Sequence, residues 1–146
     1  MRKQKFIYAV AIVATLFLSA CSSDSSSDTD NQKPSITIFK PLDGDIIIAG
    51  QDMLVDIDFT DNVGLASYKI DIHYAGDGHV HRKKDGQPQQ EWTYEYSEYI
   101  SGKAVSKELA IPVPFGTSGE YHFGVYAIDT SGNQALIWEK ITIFSN

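Results

Sequence analysis

The chain has 146 residues and a formal net charge of −7, with 12 Lys and Arg against 19 Asp and Glu. Its one basic run, Arg82–Lys84, lies among turn residues, so the charge pattern argues against nucleic acid as a partner. A single cysteine excludes an internal disulfide. The length suits one ordinary domain that is stabilised by its own core.

The N-terminal segment has the pattern of a bacterial lipoprotein signal. Three basic residues precede a short apolar run, Phe6–Leu18, which is too short for a comfortable membrane span. The tetrapeptide Leu18–Cys21 follows and reads Leu-Ser-Ala-Cys, the arrangement that a lipoprotein signal peptidase recognises. We therefore predict that residues 1–20 are removed and that Cys21 carries a lipid that anchors the mature chain to a membrane.

Residues 21–33 are predicted to be the lipidated cysteine and a flexible tether, because residues 22–33 contain no apolar side chain. From residue 34 to residue 146, apolar residues recur with period 2 and turn residues separate the runs. The pattern predicts no helix and about seven strands, at 35–39 (with 46–48 as a candidate extension), 53–60, 67–74, 92–100, 104–111, 120–128 and 135–144. We therefore expect an all-β fold, a single immunoglobulin-like antiparallel β-sandwich.

Three of the four histidines lie within nine residues, and strand alternation brings the fourth towards them. His73 ends one strand and His122 begins its antiparallel neighbour, both facing outward, so we expect the two side chains to approach. His79 and His81 follow in the next loop, and Asp71 shares the face of His73. Imidazoles with a carboxylate suit Zn²⁺ or Cu²⁺. A non-catalytic transition-metal site is one interpretation, and ordinary surface histidines are the other.

Carboxylates and an amide are predicted to gather at the opposite end of the sandwich. Asp58 and Asp61 come from the end of one strand and the turn after it, and Asp129 and Asn133 come from a later turn. Oxygen ligands of this kind suit Ca²⁺. Asp and Asn are also ordinary turn residues that cap backbone groups, so both interpretations stay open.

An aromatic run supplies a candidate contact surface. Alternation places Trp92, Tyr94 and Tyr96 on one side of a strand, which we expect to be the core side, and Tyr99 on the other. An exposed tyrosine suits a glycan or an envelope protein as the partner. The sequence contains no nucleophile elbow, phosphate-binding glycine loop or His-Glu-x-x-His motif, so we expect no enzyme. The two hypotheses are a metal-binding lipoprotein and an adhesion or scaffold module.

The segments Tyr68–His73 and Asp77–His81, together with the turn Asp61–Leu65, resemble a known family. They are similar to Bacteroidetes lipoproteins that carry domain of unknown function 4625, and the resemblance covers most of residues 21–146. It implies an immunoglobulin-like module in the cell envelope, lipid-anchored to the outer membrane on its periplasmic or surface-exposed face. It brings no established activity.

Overall fold

The computed structural model describes residues 29–76 and 91–145. The signal segment, Cys21, His79 and His81 lie outside the described residues, so the predictions for them stay predictions. The described chain is all-β, and no helix in it is long and apolar enough to cross a membrane. Its eight strands are β1 (Ser35–Lys40), β2 (Ile46–Ile48), β3 (Asp52–Thr60), β4 (Leu65–Tyr74), β5 (Tyr94–Tyr99), β6 (Ala104–Pro112), β7 (Gly119–Asp129) and β8 (Gln134–Phe144).

The strands form two sheets, which confirms the predicted immunoglobulin-like sandwich. The three-stranded sheet has the order β1-β3-β6, and the five-stranded sheet has the order β2-β8-β7-β4-β5. All neighbours are antiparallel except β2 and β8, which are parallel. The candidate extension at 46–48 is therefore a separate strand, because the chain leaves the three-stranded sheet after β1 and joins the other sheet as β2.

The core lies between the inner faces of the two sheets, where alternate residues of each strand are buried. Phe59 on one sheet contacts Tyr68 on the other, with ring centroids 5.0 Å apart. Residues with no more than 2 % of their surface exposed include Val55, Ile57, Phe59, Tyr68, Ile70, Ile72, Tyr121, Phe123, Val125, Ile141 and Ile143. Burial of so many large apolar side chains is the main stabilising contribution in a fold without disulfides.

The aromatic run behaves as alternation predicts. Trp92 is 9 % exposed and belongs to the core, and Tyr94 and Tyr96 pack against that core. Tyr99 points the other way and is 91 % exposed. Tyr94, Tyr96 and Tyr99 lie on β5, which pairs with β4 at the edge of the five-stranded sheet. Because Tyr99 has the opposite parity to Tyr94 and Tyr96, it lies on the outer face of that sheet.

A polar network joins β5 of one sheet to β6 of the other. Lys107 Nζ donates to Glu98 Oε1 at 2.6 Å, and the Tyr68 hydroxyl donates to Glu98 Oε2 at 2.9 Å. Burial, followed by the hydrogen bond to Glu98, raises the pKa of Tyr68. The hydrogen bond from Lys107 is the largest cause of the lowered pKa of Glu98. The network keeps the buried Tyr68 hydroxyl paired where it would otherwise lack a partner.

Candidate functional site

The outer face of the five-stranded sheet presents side chains in rows that follow from the strand register. His73 on β4 is directly opposite His122 on β7, and Lys69 is opposite Tyr126. Gly124 also lies on β7, and it is opposite Trp138 of β8, the strand on the other side of β7 from β4. Because side chains alternate across a strand, all six positions lie on this face.

The indole of Trp138 lies over Gly124. A Cβ atom at position 124 would stand 2.2 Å from Cζ3 of Trp138 and 2.5 Å from its Cη2. These distances are far below a van der Waals contact, so the indole occupies the space that any other side chain at 124 would fill. Trp138 is nevertheless 39 % exposed, so the ring presents apolar surface to solvent.

Three further rings surround the indole at steep angles. Its ring centroid lies 5.2 Å from that of His73, at an interplanar angle of 76°, and 5.8 Å from that of Tyr126, at 81°. His122 is at 6.0 Å and 56°. We call these four residues the aromatic platform. Edge contacts of this kind are favourable between rings and fix the orientation of the indole.

The two histidines on this face meet as strand alternation predicts, with ring centroids 5.5 Å apart. Asp71 Oδ1 lies 2.9 Å from Nδ1 of His73 and accepts its hydrogen bond. Burial acts to raise the pKa of Asp71, but the hydrogen bonds from His73 and Lys69 outweigh it and the pKa is lowered. A carboxylate that orients an imidazole in this way is common beside bound metals.

Asp71 and the two histidines are not a complete metal site by themselves. Among the described residues, three candidate ligands come within 4.8 Å of one another in a different group, which lies at the other end of the sandwich. A transition metal on the sheet face would therefore need ligands from the segment that carries His79 and His81, outside the described residues. Zn²⁺ in proteins is almost always held by three or four side chains.

The charged groups beside the aromatic platform compensate one another. Lys69 Nζ lies 3.3 Å from Asp71 Oδ2 and 3.3 Å from Glu95 Oε1. The same ammonium group stands 5.8 Å from the centroid of the Tyr126 ring. As far as the described residues go, this part of the face therefore combines aromatic surface with hydrogen-bonding groups, and its Lys69 is paired.

A shallow cleft of about 440 Å³ continues the face towards β5. Its lining includes the small side chains of Ser67 and Ser97 and the rings of Tyr99 and Tyr126. Gln134 and Ile128 complete the side formed by β7 and β8. A concave site with aromatic sides and a few polar groups is the usual form of a small-ligand site.

The carboxylates at the other end of the sandwich form a compact group. Ligand atoms of Asp30, Asp61 and Asp129 all lie within 4.8 Å of one another, and we call these three residues the acidic cluster. Asp61 comes from the turn between β3 and β4, and Asp129 ends β7. Two of the four residues that the sequence suggested for calcium are thus ligand candidates in one place.

Asp129 is held firmly in this cluster. It is 2 % exposed, and its Oδ1 accepts hydrogen bonds from the backbone N–H groups of Ser131 and Asn133, both at 2.8 Å. Burial acts to raise the pKa of Asp129, but hydrogen bonds from the side chain and backbone of Asn133 and from the backbone of Ser131 and Gly132 lower it overall. These hydrogen bonds therefore hold the Asp129 side chain in one orientation and favour its charged form.

Asp30 joins the cluster from the segment that precedes β1. Its Oδ1 accepts from Nδ2 of Asn62 at 3.1 Å, and its backbone oxygen accepts from Nδ2 of Asn133 at 2.9 Å. Asn133 therefore supports the cluster through its amide group. Asp58 lies elsewhere: its Oδ1 accepts a hydrogen bond from Ser106 on the outer face of the three-stranded sheet.

The sequence analysis did not identify two residues of these sites, Trp138 and Asp30, and only Trp138 had a signal that could have identified it. Trp138 is three residues from Ile141 and so has the opposite parity in the same strand, which places it outside when Ile141 is inside. Asp30 had no such signal, because its polar neighbours predict a tether and nothing local indicates that it contacts the sandwich.

The topology and the two sites define a small immunoglobulin-like β-sandwich module with an aromatic outer face. The chain belongs to the DUF4625 family, a domain of unknown function, whose family model matches residues 19–144. No curated protein matches the chain. Among solved structures it is similar to fibronectin(III)-like modules of Clostridium thermocellum CbhA, with a TM-score of 0.43 and 15 % identity over 75 % of this chain and 94 % of that chain.

Proposed function

We propose that this protein is a non-catalytic module of the cell envelope that binds a neutral glycan on the outer face of its five-stranded sheet. The observation that carries the proposal is the exposed indole of Trp138, which lies over Gly124 and is bordered by three rings. A group of exposed aromatic side chains indicates a binding site, because soluble proteins rarely expose large contiguous apolar patches.

The chemistry of the face favours a sugar ring over an extended apolar partner. Aromatic faces stack on the C–H surface of sugar rings, while nearby polar groups take up the hydroxyls. Here Ser67, Ser97 and Gln134 offer such groups in the adjoining cleft. Among the described residues of this face, Lys69 is already paired with Asp71 and Glu95, so it offers no free cation to an acidic saccharide, and a neutral one suits the site.

A glycan array probed with the full chain tests this proposal. We expect binding to neutral oligosaccharides that persists in EDTA, because the aromatic platform needs no metal. Titration calorimetry with the best saccharide should then give one site per chain. An array without any bound saccharide, or binding confined to sialylated or sulfated glycans, would contradict the proposal.

A transition-metal site is the second candidate, and the contact between His73 and His122 favours it. We expect the full chain to retain about one Zn²⁺ or Cu²⁺ after equilibration and desalting, measured by mass spectrometry. The metal should be lost in both His73→Ala and His81→Ala if the sheet and the following segment share the site. Trp138→Ala should retain it. Absence of bound metal in the unmodified chain would exclude the metal site and leave His73 and His122 only their place in the aromatic platform.

The third part of the proposal is the anchor. We propose lipidation of Cys21 because it follows an apolar run and small residues that a lipoprotein signal peptidase recognises. In a bacterial host, the chain should incorporate labelled palmitate and fractionate with the outer membrane. Cys21→Ser should lose the label and move to the soluble fraction. Equal labelling of the two chains would exclude this cysteine as the acceptor.

A further inference from the structure

We infer that the acidic cluster of Asp30, Asp61 and Asp129 is a calcium site that fastens the N-terminal segment to the sandwich. The three carboxylates come from separate parts of the chain, yet their ligand atoms lie within 4.8 Å of one another. None of the ion pairs found among the described residues supplies a cation to any of them. Three like charges at this spacing repel one another unless a cation lies between them.

A second observation points to a bound cation. Oδ2 of Asp30 and Oδ1 of Asp61 each expose less than 1 Å² and have no hydrogen-bond partner. Asp129, the third member, is buried, and both of its carboxylate oxygens already accept hydrogen bonds, from Ser131 and Asn133. Buried polar oxygens are almost always paired, and buried carboxylates pair with cations or coordinate metals. The unpaired oxygens belong to the residues of the acidic cluster, so one ion there can satisfy both.

The ligand chemistry selects calcium. All three side chains offer hard oxygen ligands, and the cluster contains no histidine or cysteine that would favour a transition metal. Calcium accepts six to eight oxygens in a flexible geometry, whereas magnesium requires a near-ideal octahedron and keeps most of its waters. Ligands from an N-terminal segment, a turn and a strand end suit the more tolerant ion.

The site would change the mechanical character of the N-terminal segment. Asp30 lies within the stretch that the composition predicts to be a flexible tether, and two asparagine amides already hold it against the sandwich. A calcium ion that bridges Asp30 to Asp61 and Asp129 would fix this segment to the domain. The inference is independent of the glycan proposal, because the acidic cluster and the aromatic platform share no residue.

Calorimetric titration of the full chain with CaCl₂, after chelation and desalting, tests the inference. We expect one ion per chain with a Kd of about 10⁻⁴ to 10⁻³ M, the range of extracellular calcium modules. At 10 mM calcium the melting temperature should rise by about 5 to 10 °C. Asp30→Asn should weaken calcium binding at least tenfold, because it removes one charged ligand outside the strands.

Asp58→Asn is the matched control, since Asp58 is an acidic residue outside the cluster and accepts a hydrogen bond from Ser106. It should bind calcium as the unmodified chain does. In EGTA Asp58→Asn should melt with the unmodified chain, and Asp30→Asn should melt no lower because it removes one of the repelling charges, which shows that both variants fold. Three results would each overturn the inference: no calcium binding at 10 mM, equal affinity of Asp30→Asn and the unmodified chain, or magnesium binding as tightly as calcium.

Discussion

Phe123→Ala is expected to destabilise the domain by about 3 to 5 kcal/mol, because it removes a fully buried ring from the centre of the core. Phe123 has no exposed surface and lies on β7, between β4 and β8. The sheets cannot collapse around a cavity at this position without disturbing the pairing on either side. Urea denaturation should report the loss of free energy, and calorimetry should show a fall in melting temperature of about 15 °C.

Phe115→Ala is the matched control for this experiment. The chemical change is identical, but Phe115 is 79 % exposed, so its loss should alter the free energy of unfolding by no more than about 0.5 kcal/mol. Equal destabilisation by the two variants would show that the inner faces of the sheets do not form the main core.

Trp138→Ala is expected to weaken glycan binding at least 100-fold, which corresponds to about 2.7 kcal/mol. The indole supplies the largest aromatic surface of the platform, and its neighbours stand at an angle to it. Because the ring lies on the outer face, its removal should change the free energy of unfolding much less than Phe123→Ala does. Calorimetric titration with the best saccharide measures the first quantity, and urea denaturation measures the second.

Two controls isolate the role of the indole. Phe39→Ala removes an aromatic side chain that is 48 % exposed on β1 of the other sheet, and it should bind the saccharide normally. Gly124→Ala keeps the indole but displaces it, since the new Cβ would stand 2.2 Å from the ring; at Gly64 the nearest atom is 3.5 Å away. Gly124→Ala should therefore lose affinity and Gly64→Ala should not. Undiminished binding by Trp138→Ala would end the glycan proposal.

Strand alternation predicted most of the fold because both faces of each strand have distinct chemistry. Tyr68, Ile70 and Ile72 alternate with Lys69, Asp71 and His73, so one register buries the first set and exposes the second. The same logic brought His73 opposite His122. It could not place β2, because three consecutive isoleucines at 46–48 have no alternation and their partner strand lies near the far end of the chain.

Site residues could be predicted only where the local sequence pattern determines where the residue lies in the fold. Asp61 lies in a turn and Asp129 directly before one, at places that the sequence marks clearly, and both were predicted as candidate calcium ligands. Asp30 joins them through contacts with residues about 30 and 100 positions away, which no local rule reveals. Gly124 could not be predicted either. It leaves room for the indole of Trp138, which comes from the neighbouring strand and not from the local sequence.

The position of β8 has a consequence for biogenesis. This strand is the last of the domain to leave the ribosome, yet it lies in the interior of the five-stranded sheet, between β2 and β7. Until residues Gln134–Phe144 emerge, β2 has no partner in this sheet and β7 is paired only with β4. Non-local pairing of this kind forms slowly. The five-stranded sheet of a nascent chain therefore stays incomplete until β8 has emerged.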